Sequence, residues 1–349
     1  ELTIDAVQKA ENTSDDSELI AQVVSVVNND LVNVMIEEVS KVSIDEKQTL
    51  SAKVLQKIVE TEPDKMEIIN EEVKDVMIKQ TVESAKNQQE GTGILEEEDF
   101  TDIVSEIIVK TQTETASKII EEINDIDTDT NLSLEVISGI SEKDSEKLNE
   151  LSDNNKEQMD ELTIDAVQKA ENTSEDSQLI ANVVAVVNDD LVNKVVEEVS
   201  KTSIEEKQTL SAKVLKAITD TEPDKINIID KEVKSTIIKQ AVEVSKKQEE
   251  GTISDEESMV DIVSDIISKT DSETALEVIE EVNNTESESN FSLKIGAGVA
   301  EKSNQKLDSL SVIDEEEVNE LIEKAVKSAK STNEDGELIA QVVTVTSDE

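Results

Sequence analysis

One stretch of this chain occurs three times, and that repetition limits what it can fold into. Residues 1–30 read ELTIDAVQKAENTSDDSELIAQVVSVVNND and return at 161–190 as ELTIDAVQKAENTSEDSQLIANVVAVVNDD. A diverged copy runs from Val318 as VNELIEKAVKSAKSTNEDGELIAQVVTVTSDE. KQTLSAKVL at 47–55 and 207–215 has the same spacing, which defines a block of about 160 residues. Further on the spacing falls by one, where EEIN at 121–124 matches EEVN at 280–283, so a loop has lost one residue.

Inside each block a shorter theme repeats: an apolar pair, Lys, a polar turn, then apolar pairs again. AVQKAENTSDDSELIAQVV, EVSKVSIDEKQTLSAKVL and EIIVKTQTETASKIIEEI are examples. Five such units per block give about 32 residues each, the size of one helical hairpin in a repeat array. Tetratricopeptide arrays share this length, but their aromatic and glycine signature positions are absent here. No family is assigned on residues.

Apolar spacing makes the segments helical. Leu19, Ile20, Val23, Val24 and Val27 fall on one face of a 3.6-residue helix, as do Leu31, Val34, Ile36 and Val39. Ile103, Val104, Ile107 and Ile108 repeat the pattern. The run VVSVVN lacks the period-two alternation of a strand.

Turn chemistry supplies boundaries. Ser43…Glu46, Ser203…Glu206, Thr111…Glu114 and Thr270…Glu273 have capping-box spacing. The two prolines, in Thr61-Glu62-Pro63-Asp64 and its copy at 221–224, suit a first helical turn, where the missing N–H loses no partner. Gly91 and Gly251 suit left-handed C-caps. Residues 65–90 read as one long helix, or as two with a break near Gln80.

A lone hairpin buries too little apolar area to offset its conformational entropy, so the units must stack. The expected fold is all-α: an α-solenoid of tandem hairpins, with blocks at 1–160, 161–318 and a third starting at 319–349, forming one continuous array.

Composition bears on function. The chain has 84 acidic and 33 basic residues, a net charge of -51, and no His, Cys, Trp, Tyr or Arg. The usual general bases, thiol nucleophiles and anion clamps are missing, so no catalytic residue is assigned and an enzyme is not expected. Ser303…Lys306 has S-x-x-K spacing, but its first-block counterpart begins with Asp144, so it is read as chance. Asp125, Asp127, Asp129 and Asn131 place oxygens like the opening of a calcium loop. The glycine at its sixth position is absent, so this is a weak candidate beside diffuse calcium or magnesium attraction. No cofactor is expected.

The same charge argues against phosphate backbones, and no run of about 18 apolar residues spans a membrane. The reading from sequence is a non-enzymatic structural repeat protein: an acidic stalk, spacer or filament component, leaning to the cell surface. Its partners would be itself, other repeat chains or a basic protein, with no nucleic acid and no membrane insertion. The alternative is an intracellular scaffold or protein-binding solenoid that engages a basic partner.

Overall fold

The computed structural model describes residues 2–10, 14–42, 49–92, 99–126, 130–202, 208–285, 290–303, 305–329 and 332–346. Two compact units divide at Ala170 and Glu171. The expected block boundary at 160/161 falls inside a helix, and so does that at 318/319. Among the described residues there are helices and no strands, as the apolar period requires.

The first unit holds α1 (Leu2–Lys9), α2 (Ser14–Val26), α3 (Asn29–Val42), α4 (Leu50–Thr61), α5 (Glu71–Gln89), α6 (Phe100–Lys110), α7 (Thr113–Asp125), α8 (Leu132–Lys143), α9 (Ser145–Asn154) and α10 (Lys156–Lys169). Each helix packs on the one two steps later. α2, α4, α6 and α8 form one layer, while α1, α3, α5 and α7 form the other. α10 closes against α7 and α8. The second unit repeats the scheme. α11 (Ser174–Val186), α13 (Leu210–Thr221), α15 (Met259–Lys269) and α17 (Phe291–Lys302) form its first layer. α12 (Asp189–Thr202), α14 (Lys231–Glu249) and α16 (Ser272–Asn284) form its second. α18 (Lys306–Ser311), α19 (Glu315–Ser328) and α20 (Asn333–Thr346) follow, with α19 and α20 both on α17. This is the stacked-hairpin architecture of an α-solenoid within each unit. The hairpins are not uniform at 32 residues, because first-layer helices start unevenly at Ser14, Leu50, Phe100 and Leu132.

Among first-layer helices, α4, α6 and α8 are buried on nearly all sides. α4 buries Leu50, Ala52, Val54, Leu55, Ile58 and Val59 together with Ser51 and Lys53. Six of these, 50–55, are consecutive, which a helix manages only between two neighbours and a second layer. Close approach of α6 and α8 depends on Gly139: a Cβ there would lie 2.5 Å from Ser105 Oγ and 2.9 Å from Ser105 Cβ. Ser105 Oγ donates to Val136 O across that interface at 3.2 Å. Gly298 and Ser264 repeat the pair between α15 and α17.

The helical faces differ in part from the expected ones. Ile103, Val104, Ile107 and Ile108 are all buried. In α2 the buried set is Ser17, Ile20, Ala21 and Val24, and Leu19 stays exposed. In α3 the buried set is Val32, Met35, Ile36 and Val39, with Val34 exposed. Doublets of apolar residues leave the centre of a face ambiguous by one step of about 100°.

Turn chemistry sets some helix boundaries and not others. Gly91 and Gly251 have φ of 65 and 71, and each closes a Schellman motif, in which Thr92 N donates to Asn87 O at 2.9 Å. Pro63 and Pro223 start short 3-10 helices, Pro63–Ile68 and Pro223–Ile228. The chain then extends at Ile69, and α5 starts after Asn70, whose side chain accepts from Glu72 N. So the break in 65–90 precedes α5, which runs unbroken through Gln80. The capping boxes at Thr111 and Thr270 are corrected. Both hydroxyls donate back to the carbonyl four residues earlier, and Asp271 caps α16. Threonine satisfies itself inside a helix end as readily as it caps the next one. The boxes at Ser43 and Ser203 lie outside the described residues.

Polar side chains fix the register between hairpins by seizing backbone groups. Asn33 donates to Ile68 O at 3.2 Å and accepts from Asn70 N at 2.6 Å, and Asn193 does the same with Ile228 and Asp230. Gln80 donates to Ser40 O at 2.9 Å and accepts from Ser51 Oγ at 2.6 Å, tying α5 to α3 and α4. Gln240 repeats this with Ser200 and Ser211.

Gly139→Ala is expected to destabilise the first unit by about 1–2 kcal/mol, since overpacking outweighs the helix propensity gained. Urea denaturation measures it, and Ser105→Gly in the same chain recovers part of the loss.

Candidate interaction surface

First-layer helices leave only a narrow strip exposed, and in the second unit that strip is charged. α13 contributes Lys216 and Asp220, α15 contributes Asp265 and Lys269, and α17 contributes Lys302. Lys216 Nζ lies 2.8 Å from Asp220 Oδ2, and Lys269 Nζ lies 2.5 Å from Asp220 Oδ1. Lys269 also sits 3.8 Å and Lys302 3.0 Å from Asp265 Oδ1. The pairs thus run without interruption across three successive helices. Burial pushes the Asp220 carboxyl up, but hydrogen bonds from Lys216 and Lys269 outweigh it and hold the group below its ordinary range. The Lys216 ammonium is raised by its bond to Asp220.

Partly exposed pairs of this kind contribute about 0–1 kcal/mol each, so the fold does not rest on them. Their charges are available for exchange with a partner. The first unit's strip is more acidic. Gln56 stands for Lys216 and Glu135 for Lys294, while Gln56 Nε2 bonds Glu106 Oε2 at 3.0 Å. Lys143, the counterpart of Lys302, pairs with a different position, 2.5 Å from Asp102 Oδ1, whereas Lys302 meets Asp265.

A different pair is buried. Lys213 Nζ lies 2.8 Å from Asp255 Oδ2, with the two side chains 7% and 9% exposed. Thr209 Oγ1 donates to the same oxygen at 2.8 Å, Glu257 N donates to Oδ1 at 3.0 Å, and Lys213 also reaches Asn172 O at 3.0 Å. Burial raises the Asp255 carboxyl, while Lys213, Glu257 N and Thr209 together hold it below the usual carboxylate range. The network fastens the loop before α15 onto α13 and is a structural pin. The lost residue of the second block falls in this same loop, between Gly251 and Met259, yet Gln248 caps Met259 N just as Gln88 caps Phe100 N.

Of the calcium candidate, Asp125 ends α7 and Asn131 precedes α8; Asp127 and Asp129 lie outside the described residues. Among the described residues no group of three or more acids is placed to hold a metal ion, and no helix is long and apolar enough to cross a membrane. Neither the strip nor the buried pair was singled out from sequence. Lysines four residues from acids occur throughout the chain, and which of them meet across helices depends on the stacking.

No family model matches the chain, and no curated protein matches it in sequence. Among solved structures it is similar to the RNA-binding domain of yeast Puf5p bound to MFA2 RNA, with TM-score 0.49 and 13% identity, over 98% of this chain and 85% of that one. The same domain bound to AAT2 RNA gives TM-score 0.45 and 10% identity, over 97% of each chain. A circular tandem repeat protein gives TM-score 0.25 and 15% identity, over 95% of this chain and 87% of that one. Two expectations are corrected, the Puf5p domains having been solved bound to RNA. The stalk, spacer or filament reading is withdrawn, because repetition builds a binding face as readily as it builds length. The exclusion of nucleic acid is withdrawn too: net charge sums over the whole molecule, whereas binding is decided on one local face.

Asp255→Asn is expected to lower the stability of the second unit by about 3 kcal/mol at pH 7 by leaving Lys213 buried without its counter-charge. Because the folded carboxyl lies below its ordinary value of 3.8, its contribution is present above that value and is lost as pH falls through the folded one. Urea midpoints for the two proteins should therefore differ at pH 7 and 5 and converge below pH 3.8.

Proposed function

We propose that this chain is a non-enzymatic binding protein of the helical-repeat kind. Its exposed first-layer strip holds an extended macromolecular partner by exchanging internal ion pairs for intermolecular ones. The observation that supports this reading is the run of pairs from Lys216 to Lys302 across α13, α15 and α17. Successive stacked helices present these charges at roughly one helix diameter, about 10 Å apart, a spacing that suits an extended chain rather than a small molecule. The pairs also cost little to open, so a partner's charges can replace them. The absence of His, Cys, Tyr and Arg is consistent with binding without catalysis.

Fluorescence anisotropy with the full chain tests the reading, using a labelled single-stranded RNA, a lysine-rich peptide and a glutamate-rich peptide. At least one probe should bind with an affinity that falls as salt rises. Lys216→Gln, Lys269→Gln and Lys302→Gln together should weaken RNA or acidic peptide, and Asp220→Asn with Asp265→Asn should weaken the basic peptide. The probe that responds assigns the partner class. No binding by any probe, or binding indifferent to both sets of substitutions, overturns the proposal.

A further inference from the structure

The two units are near copies, and their apolar contacts are interchangeable. α5 buries Met77, Ile78 and Val82 where α14 buries Ile237, Ile238 and Val242. α7 buries Ile119, Ile120 and Ile123 where α16 buries Val278, Ile279 and Val282. The clamps Gln80 and Gln240 are the same side chain on the same kinds of partner. None of this distinguishes α7 from α16 as the neighbour of α5.

Charge does distinguish them. In the first unit Lys118 of α7 pairs with Glu71 of α5 and, at 3.2 Å, with Asp75. The equivalent residues of the second unit are Glu277 on α16 and Lys231 and Ser235 on α14. There Lys234 Nζ lies 3.3 Å from Glu277 Oε2. Its counterpart Lys74 is held instead by Glu71, at 2.9 Å within α5. So α5 presents two acids and one lysine at this contact, and α14 presents two lysines and no acid. The contact is kept and its polarity is reversed. A second contact differs in the same way. Gln89 of α5 donates to Glu135 of α8 at 2.5 Å, and its equivalent Glu249 of α14 accepts from Lys294 of α17 at 2.7 Å. At both contacts the units differ on both sides at once, so each helix matches the neighbours in its own unit.

We infer that these reversed charges are a pairing code, which directs α5 to α7 and α14 to α16 as the chain folds and turns away the other unit's helix. A wrong pairing of α5 with α16 sets Glu71 and Asp75 against Glu277. Pairing α14 with α7 sets Lys231 and Lys234 against Lys118, and α14 with α8 sets Glu249 against Glu135. Chains of similar repeats are prone to this kind of misassembly. Like charges brought together reject a wrong neighbour at little cost to the right one. A partly exposed pair adds little to stability by itself, so its effect lies in the difference between right and wrong neighbours.

The test copies the first unit's charges into the second: Lys231→Glu, Ser235→Asp, Glu277→Lys, Glu249→Gln and Lys294→Glu in the full chain. Each unit keeps matched contacts, so the urea midpoint should stay near that of wild type, and only the distinction between units is gone. Wrong pairing is then trapped. Lys79 Nζ and Glu122 Oε1 lie 3.7 Å apart across α5 and α7, and Glu281 is the equivalent of Glu122 on α16. The protein has no cysteine, so Lys79→Cys with Glu281→Cys, refolded from urea with a short bismaleimide, reports α5 paired with α16. The cross-linked fraction, taken above that of the folded protein, should rise about fivefold or more with the five substitutions. Salt at about 1 M should level the two chains, because it screens the charges. Should the five substitutions cost the fold, Glu71→Lys, Asp75→Ser and Lys118→Glu copy the second unit's charges into the first instead, with the same expected rise. Equal cross-linking with and without the charge changes, or a rise that the added salt leaves intact, overturns the inference.

Discussion

A helix as short as α4 persists because α2 and α6 cover it from both sides and α5 lies across it. Twelve residues of helix are marginal in water, and an isolated hairpin does not bury enough to compensate. Mutual cover is therefore the condition on which every other feature rests. It explains why first-layer helices bury consecutive residues, and why serine, alanine and glycine line their contacts. Small side chains let backbones approach, and the approach supplies dispersion contacts that a core without aromatics has few other ways to gain. Only Phe100 and Phe291 bring rings, and each is fully buried as the first residue of a first-layer helix, α6 and α17.

Mutual cover by aliphatic surfaces does not by itself fix which turn sits against which. Ile and Val surfaces tolerate sliding, since dispersion has little directionality. Asn33, Gln80 and their copies supply direction by holding backbone donors and acceptors of the next element. Each clamp contributes about 0.5–1.5 kcal/mol, small beside apolar burial, yet a slipped register would leave those buried groups unpaired. Stability comes from the apolar faces and specificity from the amides.

Electrostatics act on top of this frame. Lysines are few against the acids, and most of the described ones lie beside a carboxylate. Buried pairs such as Lys213–Asp255 fasten loops, while exposed pairs on the first-layer strip add little to stability. That difference in solvation separates charges that hold the protein together from those free to meet a partner.

The all-α class, the hairpin stacking and the left-handed glycines were legible in the sequence, because each depends on local chemistry: a 3.6-residue period, a copied block and a Gly at a helix end. The first-layer strip and the Gly139–Ser105 approach were not, since they join residues about 30 to 50 positions apart, and only stacking decides which of many similar residues meet. The exposed Leu19 makes the same point, because its period was correct and its face was off by one step. The copies α5 and α14 show the division most directly. Sequence determined that both are amphipathic helices with the same apolar face, and the stacking decided that their opposite charges each meet a matching neighbour.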